Sequence, residues 1–106
     1  MEERIQRWID QLRDGKVPEP AGLNVDYESV RPVSSVLLDM GYKNIGTRFP
    51  AAKYSGRGKH LNSKNSYTDY DSPDGDIPRI RVTLSRLHGG GNRWRGQLFA
   101  KEMKDR

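Results

Sequence analysis

The residues of this chain that are best suited to chemistry are basic, and many of them lie in one glycine- and serine-rich stretch, Ala51 to Lys64. No acidic residue occurs between Asp39 and Asp69, whereas basic and aromatic side chains are interleaved there. Such cations neutralise a phosphate backbone, and the aromatic rings between them can stack on bases. We therefore predict a mobile basic loop at about residues 51–64 that contacts nucleic acid. Its candidate contact residues are Lys53, Arg57, Lys59, His60 and Lys64.

A second group of candidate contacts lies in Ile77 to Lys101, which has the pattern of two strands joined by a glycine-rich loop. At the start of the second strand an indole lies between two arginines, an order that suits stacking on a base and clamping of phosphates. Alternation also places Trp94 on the same side as Leu98, which would bury the ring instead. Both interpretations leave the arginines exposed. The candidate contacts of this basic hairpin are Arg79, Arg81, Arg93, Trp94 and Arg95.

The chain has two histidines, His60 and His88, and both lie in glycine-containing segments among basic residues. A metal-independent ribonuclease needs a general base, a general acid and cations that stabilise the pentavalent phosphate. These two histidines are therefore the candidate catalytic residues if the chain is an enzyme. A histidine in a loop is more often a polar surface residue, and binding without catalysis is the preferred interpretation.

A cluster of carboxylates precedes the basic hairpin and has some features of a calcium-binding loop. The spacing is not that of an EF-hand, because Pro73 interrupts the run and no glutamate closes it. Two or three of these carboxylates could hold a divalent ion for phosphodiester hydrolysis, but a polar hairpin tip is the preferred explanation. We predict no metal and no cofactor. The metal-ligand candidates, should there be a metal, are Asp69, Asp71, Asp74 and Asp76.

Length and composition restrict the classes of protein that remain. At 106 residues the chain is a single small basic domain, residues 1–106, with room for one modest core. Its net charge of +5 favours an anionic partner, nucleic acid first and an acidic protein surface second. The absence of cysteine excludes disulfides and thiolate zinc sites. The N-terminus lacks the pattern of a secretory signal and no apolar run approaches the roughly 20 residues of a membrane span, so we expect a cytoplasmic protein with no membrane partner.

Two helices are predicted in the first half of the chain. Apolar residues recur at i, i+3, i+4 and i+7 within residues 2–14, the pattern of an amphipathic helix. The same stripe recurs from Ser29 to Met40, where Pro32 would lie in the first turn. Leu38 lies off this stripe, which predicts a wide apolar face packed on more than one side. The connector from Lys16 to Asn24 has prolines and no periodicity, so we expect it to be extended and to cross the surface.

Strands are predicted in the second half. Tyr42 to Phe49 and Asn65 to Asp71 alternate, and a proline- and glycine-containing turn then leads into the basic hairpin. We predict an α+β fold in which two N-terminal amphipathic helices pack on one face of a three- to four-stranded antiparallel β-meander. The other face would carry basic side chains.

These features favour a small protein that binds DNA or RNA without strong sequence preference, through the basic loop and the basic hairpin. Two alternatives remain open. One is a small inhibitor or adaptor that docks on an acidic protein, and the other is a metal-independent ribonuclease.

Overall fold

The computed structural model describes residues 1–50, 65–88 and 93–104. Five strands form one antiparallel sheet in the order β1-β5-β4-β3-β2. The helices are α1 (Glu3–Arg13), α2 (Tyr27–Val30) and α3 (Val33–Asp39). The strands are β1 (Gly22–Asp26), β2 (Lys43–Arg48), β3 (Ser66–Asp71), β4 (Arg79–His88) and β5 (Trp94–Met103).

The predicted α+β fold, two N-terminal amphipathic helices on a three- to four-stranded meander, is wrong. The sheet has five strands and accounts for most of the regular structure, and only one helix of more than two turns lies at the N-terminus. The second predicted helix is two short pieces in the middle of the chain.

The helix α1 has the boundaries and the buried stripe that its sequence predicts. Glu2 caps it by accepting a hydrogen bond from the Arg4 backbone amide, and a further acid, Glu3, lies in the first turn, where it complements the helix dipole. The Trp8 indole is buried in the core and donates a hydrogen bond to the carbonyl oxygen of Pro20 at 3.0 Å. The buried stripe consists of Ile5, Trp8, Ile9 and Leu12.

The second helical region is interrupted between α2 and α3. Helix α2 begins at Tyr27, two residues before the predicted start, so Pro32 falls beyond the first turn. Proline has no N–H to donate to the carbonyl four residues earlier, so the helix is interrupted there. Val33 and Leu37 are fully buried, whereas Leu38 is 51% exposed. The wide apolar face inferred from Leu38 is therefore wrong.

Strand β1 is absent from the prediction, which treated its first three residues, Gly22 to Asn24, as part of a surface connector. It pairs antiparallel with β5, from Gly22 opposite Phe99 to Asp26 opposite Arg95. Leu23 and Val25 alternate with small or polar residues and pack against the core. This alternation covers only five residues, too few to distinguish a strand from an extended loop without knowledge of its partner.

The other four strands lie where alternation predicts them, but their ends differ: β2 and β3 are shorter than predicted, whereas β4 extends to His88 and β5 to Met103. The predicted strand from Tyr42 to Phe49 is β2, and a bulge between Asn44 and Gly46 shifts its register. It is an edge strand of the sheet, and all of its residues are exposed. The predicted turn before β4 closes through a hydrogen bond from the Asp76 amide to the Pro73 carbonyl, with a positive φ of 92° at Gly75.

The core lies between the helices and one face of the sheet. Strand β4 contributes Ile80, Val82 and Leu84 to it, as alternation predicts. Strand β5 contributes Leu98 and Ala100. All three helices pack on this same face, so the opposite face carries no helix in the described part of the chain.

Gly96 allows α2 to approach β5 closely. A methyl group on Gly96 would lie 2.6 Å from Cγ2 of Val30 and 3.1 Å from Cα of Tyr27, and Val30 is fully buried. We expect Gly96→Ala to lower the free energy of unfolding by about 1–3 kcal/mol, the usual cost of overpacking. The matched control is Gly22→Ala on the neighbouring strand, where the added methyl would make only ordinary contacts at 3.5 Å or more. Urea unfolding of both variants measures the difference, and equal stabilities would contradict the close packing of α2.

Candidate nucleic-acid interface

The face of the sheet opposite the helices, which we call the open face, has more cations than carboxylates. The strand registers place side chains from all five strands on it. Among the described residues, six cations lie on this face: Lys43, Arg48, Arg79, Arg81, Arg95 and Lys101. The carboxylates there, again among the described residues, are Asp26, Asp69 and Asp71.

Two of these cations are engaged by carboxylates of β3. Arg81 donates two hydrogen bonds to Asp71, at 2.6 and 3.0 Å. Arg48 donates to Asp69 at 3.1 Å, and the Thr83 hydroxyl donates to the same carboxylate at 2.7 Å. These ion pairs join β2, β3 and β4 and reduce the charge that Arg48 and Arg81 can offer to a phosphate.

The same network lowers the pKa of Asp69. Partial burial alone would raise it, but hydrogen bonds from Thr83 and Arg48 outweigh burial and hold the pKa of this carboxyl below its ordinary value. A carboxyl whose pKa is lower in the folded state stabilises the fold at pH values above its unfolded pKa, which is near 4. This stabilisation is lost as the pH falls through the folded pKa. Asp69 is therefore charged at neutral pH and serves the sheet as an ion-pair partner.

Strand β5 carries two exposed cations of the open face that form no ion pair with a described residue. Arg95 and Lys101 are exposed at its two ends, about 20 Å apart at the usual rise of a strand. Asp26 lies directly opposite Arg95 on β1 and offsets part of its charge. Between the two cations lie Gln97 and Phe99, on the same face. We call these four residues, Arg95, Gln97, Phe99 and Lys101, the β5 track.

Phe99 is the one aromatic side chain of the β5 track, and it is 43% exposed. Its neighbours across the strands are Thr83 on β4 and Gly22 on β1. Alternation places Phe99 on the basic side of β5, but the sequence prediction gave it no role. An aromatic residue at i and a cation at i+2 in a strand that faces water is the sequence signal that identifies it.

The Arg93-Trp94-Arg95 triplet does not form one clamp. Trp94 faces the helical side of the sheet, where the Arg86 guanidinium lies 3.8 Å from the centre of its ring and 5.1 Å from that of Tyr27. Arg95 faces the open side, and Arg93 precedes the strand and is exposed. The indole is partly buried and stacks on an arginine from the neighbouring strand. A base would therefore meet Arg95 without meeting Trp94.

The remaining candidates divide by position. His88 is exposed and packs edge-on against Trp94, with ring centres 4.9 Å apart. Asp74 and Asp76 lie in the turn before β4 and are not part of the ion pairs made by Asp69 and Asp71. Within residues 1–50, 65–88 and 93–104, no three His, Asp or Glu side chains come close enough to hold a metal ion.

The predicted basic loop at residues 51–64 lies outside the described residues, and so does its predicted mobility. The same holds for its candidate contacts Lys53, Arg57, Lys59, His60 and Lys64.

The chain matches no protein-family model, and no curated protein or solved structure matches it significantly. No helix in the described ranges is long and apolar enough to cross a membrane. Function is therefore inferred from the chain's own geometry.

Proposed function

We propose that this protein binds nucleic acid through the open face of its sheet, without strong sequence preference. The observation that carries the proposal is the combination of excess positive charge and an exposed aromatic ring on a face that no described helix covers. Cations attract the phosphate backbone regardless of sequence, and an aromatic ring adds contact with bases. We also propose that the protein is cytoplasmic.

The β5 track is the centre of this proposed interface. Its cations are not held in ion pairs in the described part of the chain, so phosphates can reach them without breaking a native contact. Arg48 and Arg81 contribute as part of a network whose charges are already balanced. The predicted contacts of the basic loop, Lys53 to Lys64, would add to this surface.

The ribonuclease alternative depends on His60, which lies outside the described residues, and on His88, which packs against Trp94. Cleavage of labelled RNA in the presence of a chelator tests it. The open face could equally meet an acidic protein, because both ligands present negative charge. Binding to unrelated nucleic acids distinguishes these two possibilities.

The test is a titration of labelled DNA and RNA, in single-stranded and duplex form, followed by fluorescence anisotropy. At about 50 mM salt we expect binding to sequences of unrelated composition with similar affinity, weakening as salt is raised. Unlabelled nucleic acid of different sequence should compete. An absence of binding to every form at this salt concentration would contradict the proposal and favour an acidic protein partner.

A further inference from the structure

Phe99 is an exposed aromatic side chain on the open face, on the same strand as the cations of the β5 track. We infer that Phe99 is a stacking platform for an unpaired base, and that the protein therefore prefers single-stranded nucleic acid. This inference rests on the proposed function and specifies the form of the ligand.

The Phe99 ring lies beside the backbone of the edge strand β1. Gly22 lies directly opposite Phe99 on this strand, and a methyl group there would be 3.5 Å from Cδ1 of the ring. The glycine thus gives the ring a flat backbone to lie beside, while 43% of the residue remains exposed. An aromatic ring that leans on a glycine of the edge strand also stabilises that strand, so its exposure has a structural explanation as well. The structural role needs only an apolar side chain over Gly22, whereas the stacking role needs an aromatic one.

Two polar side chains, Gln97 and Asn24, lie on the same face as the Phe99 ring. The Gln97 amide donates a hydrogen bond to the Asn24 side-chain oxygen at 3.1 Å. In the part of the chain that the structure describes, this leaves the Gln97 oxygen and the Asn24 amide hydrogens available. An unpaired base stacked on Phe99 would present its hydrogen-bonding edge to these two groups. The Gln97 oxygen can accept a hydrogen bond from the base, and the Asn24 amide can donate one to it. Lys101, two residues further on the same face, lies within reach of the adjoining phosphate.

Phe99 can stack on the bases of a single strand but not on those of a duplex. The bases of a duplex are stacked on each other and are reached only through its grooves, whereas Phe99 lies between neighbouring strands on a sheet face five strands wide. A duplex can therefore meet the cations of this face but cannot stack a base on Phe99 without unpairing it. The ring consequently contributes to binding of single strands alone.

The experiment compares Phe99→Ala, Phe99→Leu and Phe99→Trp with the unchanged protein, using oligothymidine, oligouridine, a duplex of the same length, and an abasic oligonucleotide. Leucine keeps apolar cover over Gly22 but has no aromatic face, whereas tryptophan keeps the aromatic face. We expect the leucine and alanine variants to bind both single strands about 5- to 100-fold more weakly. Tryptophan should preserve binding. The duplex and the abasic strand, which offer phosphates without an accessible base, should bind all four proteins equally.

The outcomes separate the two proposals. Equal affinity of the unchanged protein for single strand and duplex, or unchanged single-strand binding by the leucine variant, would overturn the stacking role and leave the proposed function standing. Equal affinity for oligothymidine and its abasic counterpart would do the same. No binding to any nucleic acid would overturn both. Thermal unfolding of each variant identifies any loss of fold, and the leucine variant keeps the test decisive if alanine destabilises β1.

Discussion

Replacing Leu37 by alanine is expected to lower the free energy of unfolding by about 2–5 kcal/mol. Leu37 lies on α3, is fully buried and belongs to the single core between the helices and the sheet. Truncation removes the transfer free energy of the side chain and leaves a cavity that the surrounding residues fill only in part. A small domain has a total stability of about 5–15 kcal/mol, so this one change would remove a large share of it.

The adjacent residue provides a matched control. Leu38 has the same side chain, lies on the same helix and is 51% exposed. Leu38→Ala is expected to change stability by no more than about 0.5 kcal/mol, because little apolar surface returns to water. Chemical denaturation of the two variants under identical conditions gives the comparison. Similar losses at both positions would show that α3 is rotated relative to the sheet.

This pair of residues also shows how far sequence periodicity determines the fold. The stripe that predicted α1 and the alternation that predicted β4 are local patterns, and both correctly select the buried apolar residues. Alternation also places Ser85 on the water-facing side of β4, and this prediction is wrong, because Ser85 is buried. Leu38 fits an apolar face in composition, and only the position of α3 on the sheet determines that it is exposed. A pattern gives the relative phase of residues along an element, but not the width of the surface that its neighbours cover.

The parts of the fold that the sequence did not predict depend on partners far away along the chain. Strand β1 is a strand because β5 lies beside it, and the Gln97 to Asn24 hydrogen bond joins residues 73 positions apart. No local signal specifies that pairing. The candidate site shows the same limit: alternation places Arg81 on the basic face, but only the register with β3 shows that Asp71 already holds it.

The strongest test of the proposed interface is a double charge reversal on the β5 track, Arg95→Glu with Lys101→Glu. These positions are suitable because neither side chain forms an ion pair in the described ranges, so reversal breaks no native salt bridge. Arg95→Glu places a carboxylate opposite Asp26, so thermal unfolding of the variant accompanies the binding measurement. Reversal of Arg81 would in addition break its ion pair and place a second carboxylate beside Asp71. A loss of binding by a double variant that remains folded can therefore be assigned to the interface.

The matched control carries the same change of charge on the helical side. Lys16→Glu with Arg31→Glu alters two exposed cations, one after α1 and one between α2 and α3, where the only described ion pair is an exposed contact of Arg31 with Glu28. Both double variants lower the net charge equally, so a general loss of attraction to polyanions affects them alike. Only the position of the lost charge differs.

At about 0.1 M salt, where the Debye length is about 10 Å, the β5 variant is expected to bind single strands at least about ten-fold more weakly than the unchanged protein. Each phosphate contact contributes about 0.7 to the slope of log affinity against log salt for single strands, so removal of two contacts should make that slope shallower by about 1.4. The effect should be similar for every sequence, because phosphate contacts carry no sequence information. The helical-side variant should lose about three-fold or less and retain the slope, because Lys16 and Arg31 follow helices that pack on the other face of the sheet. If the two double variants lost affinity equally, nucleic acid would be held by overall charge and not by the open face of the sheet.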